Sequence, residues 1–96
     1  MMTQRDKLLA KIQNNPSAVT FQELDTLLRQ HGFELTRIAG SHYRYARHGM
    51  EPLTVALRRP HIHYLTVRDA LVKVERVRLS EAAQQRRERD EHGEES

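Results

Sequence analysis

His42-Tyr43-Arg44-Tyr45-Ala46-Arg47 is the stretch that decides the fold. Aromatic and polar side chains alternate along it, the period of a strand with one covered face. Tyr43 and Tyr45 share one side and suit a core, which leaves His42, Arg44 and Ala46 on the open side. Gly40 and Ser41 stand just before it, where a glycine permits a tight or bulged backbone and close approach of a ligand. Upstream, Phe33-Glu34-Leu35-Thr36-Arg37-Ile38 alternates at its start and ends at Ala39-Gly40-Ser41. Downstream, His48-Gly49-Met50-Glu51-Pro52 breaks the chain. Leu53-Thr54-Val55-Ala56-Leu57-Arg58 then reads as a third strand, stopped by Arg59-Pro60. Connections this short predict an antiparallel meander.

Helical patterns flank the strands. Thr3 to Asn14 carries Leu8, Leu9 and Ile12 on one side, and Asn14-Asn15-Pro16-Ser17 ends it. Thr20 and Glu23 have the spacing of a capping box, with Val19 placed to staple against Leu24. Leu24, Leu27 and Leu28 continue that helix, and Gly32 is its expected C-terminal cap. From Thr66 to about Leu79 the residues Val67, Ala70, Leu71, Val74 and Val77 recur at helical spacing, with Thr66 and Asp69 as the cap pair. The chain past Ser80 has no large apolar residue, so the helix is expected to run on for a turn or two and fray. The order predicts a two-layer α+β domain, a three-stranded antiparallel sheet with helices on one face. Its parts are an N-terminal helix over 1–15, a body over 16–79 and an acidic tail over 80–96.

The chain has 96 residues and no cysteine, which excludes disulfides, thiolate zinc sites, iron–sulfur ligation and a thiol nucleophile. So short a chain buries a modest core and is expected to work on a surface or in a shallow groove. No apolar stretch nears the length of a membrane span, and Met1-Met2-Thr3-Gln4-Arg5 leads into no signal-type apolar block. A soluble, cytoplasmic protein is expected. Residues 1–79 carry 13 Lys and Arg against 7 Asp and Glu, whereas residues 80–96 carry 3 Arg against 6 acids. The body is basic and the tail acidic. Eight basic residues fall between Arg29 and Lys73, seven of them arginine, whose planar fork suits phosphate. Such a body points to a polyanionic partner.

His42 has the chemistry to exchange a proton near neutral pH. Arg44, with Arg37 on the neighbouring strand, is placed to hold a phosphate beside it. Arg58 and Arg59 read either as phosphate contacts or as solvated edge charges. His61 and His63 would share a face if extended, but no carboxylate lies within five residues, so no metal is expected there. His31, at a helix C-terminus, is expected to favour the dipole as a partial positive charge.

From Phe21 to Val77 the chain resembles the HicA (YcfA-like) family of prokaryotic toxins from type II toxin–antitoxin modules. The residues that carry the resemblance are a helix ending in His31-Gly32-Phe33, then Arg37, the signature Gly40-Ser41-His42 and the aromatic Tyr45. A Thr-Val-rich strand at Leu53 to Leu57 and a closing helix follow in the family's order. The resemblance implies a double-stranded-RNA-binding-like fold and a metal-independent endoribonuclease that cuts mRNA. It places the catalytic histidine at His42, needs no cofactor, and gives a HicB-type antitoxin as protein partner. Two features depart from the family pattern. The loop before the last helix, often lysine-bearing, reads Arg59-Pro60-His61-Ile62-His63-Tyr64, and the N-terminal helix and acidic tail are additions.

RNA supplies its own nucleophile, the 2′-hydroxyl, so the chain needs only a proton carrier and positive charge at the phosphorus. His42 would be the first. Arg37, Arg44 and the backbone N–H groups near Gly40 and Ser41 would give the second. Two other functions fit the same surface: a non-catalytic RNA-binding module, and an interaction domain whose basic face meets an acidic protein.

Overall fold

The computed structural model describes residues 2–93, and its first two helices each begin at a capping box. Thr20 accepts from the Glu23 N–H at 3.2 Å and donates its own N–H to the Glu23 carboxylate at 3.0 Å, opening α2 (Phe21–Gln30) as its spacing predicted. Thr3 and Asp6 make the same reciprocal pair at the start of α1 (Gln4–Asn14). Gly32 ends α2 with φ at +82°, while the Phe33 N–H reaches the Leu28 carbonyl and the Gly32 N–H reaches that of Arg29. That is a Schellman motif, and only glycine takes its left-handed position without strain. The Arg47 guanidinium, donating to the His31 carbonyl at 2.9 Å, also occupies the space a side chain at Gly32 would need.

β1 (Glu34–Ala39), β2 (His42–Ala46) and β3 (Leu53–Ala56) form one antiparallel sheet in that spatial order. Gly40 and Ser41 make the two-residue connection between the first two strands. Gly40 has φ at +60° and, among the described residues, no non-glycine residue has positive φ, the pattern of a type II′ hairpin turn. The register slips between Leu35 and Arg37, so Thr36 is an extra residue on β1. Its hydroxyl donates to the Arg44 carbonyl at 3.2 Å. Strict alternation would put Leu35 and Arg37 on one face. The bulge turns Leu35 inward opposite Tyr45 and Arg37 outward opposite Arg44.

The core lies between the sheet and the helices. Tyr45, Leu53 and Val55 meet Leu24, Leu27 and Leu28 of α2 and Val67, Ala70, Val74 and Val77 of α3 (Tyr64–Gly93). Leu9 and Ile12 join the same cluster, so α1 is part of the one core and not an appendage to it. Buried Tyr45 donates its hydroxyl to Asp25 at 2.6 Å. Burial, and then that carboxylate, push the phenol pKa well above its ordinary range. Two ion pairs clamp α1 to α3: Arg5 to Glu81 at 3.1 Å and Arg78 to Asp6 at 2.7 Å.

α3 departs from expectation at both ends. It starts two residues early, because His63 caps it by accepting the Leu65 N–H on Nδ1 at 3.1 Å. Thr66 and Asp69 do not form the cap; Asp69 pairs with Lys73 at 2.9 Å. At the other end the helix runs through Gly93 instead of fraying a turn or two past Ser80. Ala82, Ala83, the glutamines and the arginines that follow are strong helix formers, and extending an existing helix carries no nucleation cost. The last three residues of the expected tail lie outside the described residues. No described helix is long and apolar enough to cross a membrane.

Candidate functional site

On the open side of the sheet the register builds two rows across the strands. The first is Ala39–His42–Ala56, and the second is Arg37–Arg44–Thr54. All six residues are exposed. His42 therefore stands between two alanines, whose short side chains leave its imidazole open on both sides. Arg37 and Arg44 face each other directly, where like charges destabilise a sheet. Neither makes an ion pair among the described residues. His42 and Arg44 are two residues apart on one strand, about 7 Å. A face with an exposed imidazole beside two unneutralised guanidiniums is suited to a polyanion that brings its own negative charge.

Gly40 and Ser41 sit at the turn that leads into His42. The Ser41 carbonyl accepts the Leu57 N–H at 2.7 Å, which ties the exit of β3 to this turn and brings Arg58 to the His42 end of the sheet. Arg58 and Arg59 lie off the open face. They line two shallow grooves of about 520 and 320 Å³ on either side of the Arg59-Pro60 segment. The first groove reaches Thr20 and Phe21, and the second reaches Ser17 and His63. His42 and Arg44 line neither. The loop is fixed at its centre by buried Ile62, whose N–H donates to the Val19 carbonyl at 2.8 Å, so its basic residues point outward from a firm base. The structure thus brings Arg37, His42 and Arg44 together and sets Arg58 and Arg59 on the adjoining edge.

The other histidines fall elsewhere. His63 Nδ1 is committed to the start of α3. Among the described residues no group of three or more His, Asp or Glu converges on a possible metal position. His31 does not act as a charge at the helix end, contrary to expectation. It is buried, Nδ1 lies 2.9 Å from the Leu27 carbonyl, and desolvation pulls its pKa below the ordinary 6.5. A neutral ring donating from Nδ1 fits that contact.

Parity along β2 was sufficient to find His42 and Arg44. The direct pairing of Arg37 with Arg44 depends on the Thr36 bulge, for which a single threonine gives no sequence signal. No family model, no curated protein and no solved structure matches the chain.

Proposed function

We propose that this chain is an RNA-cleaving toxin of the HicA type, a metal-independent endoribonuclease on a double-stranded-RNA-binding-like scaffold, restrained by a HicB-type antitoxin. The observation that carries the proposal is the opposed Arg37–Arg44 pair, without a carboxylate among the described residues, one row from an exposed His42. Two arginines directly opposite each other across the strands repel in the free protein, and a phosphate between them relieves that repulsion. RNA then contributes the attacking group. The 2′-oxygen bonds to the adjacent phosphorus as the bond to the 5′-oxygen breaks, leaving a cyclic phosphate and a free 5′-hydroxyl. His42 exchanges the proton, at the 2′-oxygen, at the 5′-oxygen, or at each in turn, a contribution of about 10²–10⁴-fold. Arg37 and Arg44 hold the charge that grows on the phosphoryl oxygens. The flat, open surface suits an extended strand, and the same surface is what an acidic antitoxin would have to cover.

A non-catalytic RNA binder is the competing function. It is favoured by one observation: His42 makes no side-chain hydrogen bond among the described residues that would orient its ring. Cleavage of a short RNA, compared with the same strand carrying one deoxyribose at the scissile position, separates the two. A nuclease using the internal nucleophile cuts the first and binds but does not cut the second. Equal binding with no cutting of either leaves the binder.

A further inference from the structure

The outer side of α3, turned away from the core, carries an apolar stripe that no described residue covers. Leu65, Val72 and Leu79 are 63%, 49% and 63% exposed, while Val67, Ala70, Val74 and Val77 on the opposite side are buried. The three are spaced by seven, so they drift only about 20° per step around the helix and stay in one line about 21 Å long. Charges border the line in a fixed order. Arg68 and Glu75 lie along one flank, Asp69 and Arg76 along the other, and each pair is again seven apart. Glu75 and Arg76 make no ion pair among the described residues.

We propose that this stripe is an isologous dimer interface, in which α3 packs antiparallel against α3 of a second copy about a two-fold axis through Val72. Leu65 of each chain then meets Leu79 of the other, and Val72 meets its own counterpart. On one flank Arg68 faces the second copy's Glu75, and on the other Asp69 faces its Arg76, so each of these four charges finds its opposite. The rim alone permits either direction. One further term selects the antiparallel one: the helix dipoles oppose. The open sheet faces lie on the far side from α3, so the dimer presents two His42 surfaces outward. The interface does not depend on whether those surfaces cleave RNA.

Sedimentation equilibrium of the full chain tests this. The wild type should show a concentration-dependent dimer, and Val72→Glu should raise the dissociation constant roughly a hundredfold or more, since it sets two unpaired charges at the axis. Helical circular dichroism should be unchanged, because the position is half exposed. Arg68→Glu places like charges across both copies of that contact and should weaken the dimer, and Arg68→Glu combined with Glu75→Arg should restore it. The chain has no cysteine, so engineered ones report orientation directly. Val72→Cys should cross-link on oxidation, Leu65→Cys should not, and Leu65→Cys with Leu79→Cys should. A wild type that stays monomeric overturns the proposal. So does a dimer indifferent to Val72→Glu, or a Leu65→Cys chain that cross-links to itself, which would mean parallel helices or another surface.

Discussion

Arginines at two ends of this molecule do opposite things. At the junction of α1 and α3, Arg5 and Arg78 each grip a carboxylate, Glu81 and Asp6. On the sheet, Arg37 and Arg44 grip none among the described residues and face one another. The first pair is structural: it fixes α1 on α3 and completes the core around Leu9 and Ile12. The second pair sets like charges opposite one another, which weakens the free fold, and in the proposed function an anion lies between its members. Net charge alone does not distinguish these uses. Whether an arginine has found its carboxylate does.

The largest effect that tests this division lies on the covered side of the sheet. Tyr45→Ala should cost about 3–5 kcal/mol in denaturant unfolding, because it empties the core and removes the hydroxyl that donates to Asp25. Arg37→Ala and Arg44→Ala should each leave stability within about 0.5 kcal/mol or raise it slightly. If the arginine changes destabilise as much as the tyrosine change, the open face is structural and the comparison fails.

Next in size is the response of RNA affinity to salt. The logarithm of the binding constant should fall linearly with that of salt, and each lost phosphate contact should flatten the slope by about 0.7 for a single strand. Removing Arg37 and Arg44 together should therefore flatten it by about 1.4. Removing Arg58 and Arg59 together should do the same if the adjoining edge grips the backbone, and an unchanged slope would return that pair to solvated edge charges. Arg5→Ala and Arg78→Ala should leave the slope alone.

Acid gives the smallest effect and sharpens the structural half. Hydrogen bonding from Arg78, and then from the Thr3 N–H, holds the Asp6 carboxyl down at about 2 against an ordinary 3.8. A depressed carboxylate pKa means stability that is complete above 3.8 and lost as the pH falls toward 2. His31, depressed chiefly by burial, adds a separate loss that begins as the pH falls below 6.5, where the unfolded chain takes up a proton first. Unfolding midpoints measured against pH should show both losses. Arg78→Ala should shrink the lower one, and His31→Gln should remove the upper one.

What the sequence made legible followed local rules. The Thr20–Glu23 box, the Gly32 stop and the parity of His42 to Ala46 each depend on residues within one turn or one strand, and each appears where those rules put it. What stayed hidden depends on partners distant in sequence or on competition between local options. The Thr36 bulge is set by pairing across to β2, and the Asp25–Tyr45 hydrogen bond joins residues twenty apart. His63 won the cap of α3 over Thr66 because Ile62 is pinned to Val19 and fixes where the helix can begin. The run of α3 past Leu79 was concealed by composition. A polar stretch reads as a tail until Glu81 is seen tied to Arg5.

The most direct test of the central claim is the rate of RNA cleavage by His42→Ala beside wild type, both purified free of host nucleases and both shown folded by their unfolding transitions. An exposed histidine between two alanines contributes little to packing, so stability should stay within about 0.5 kcal/mol. RNA affinity should hold, because Arg37 and Arg44 remain. Cleavage should fall by about 10²–10⁴-fold with the proton carrier gone. A variant that cuts at the wild-type rate would contradict the account, since the open face would then owe its activity to some other group.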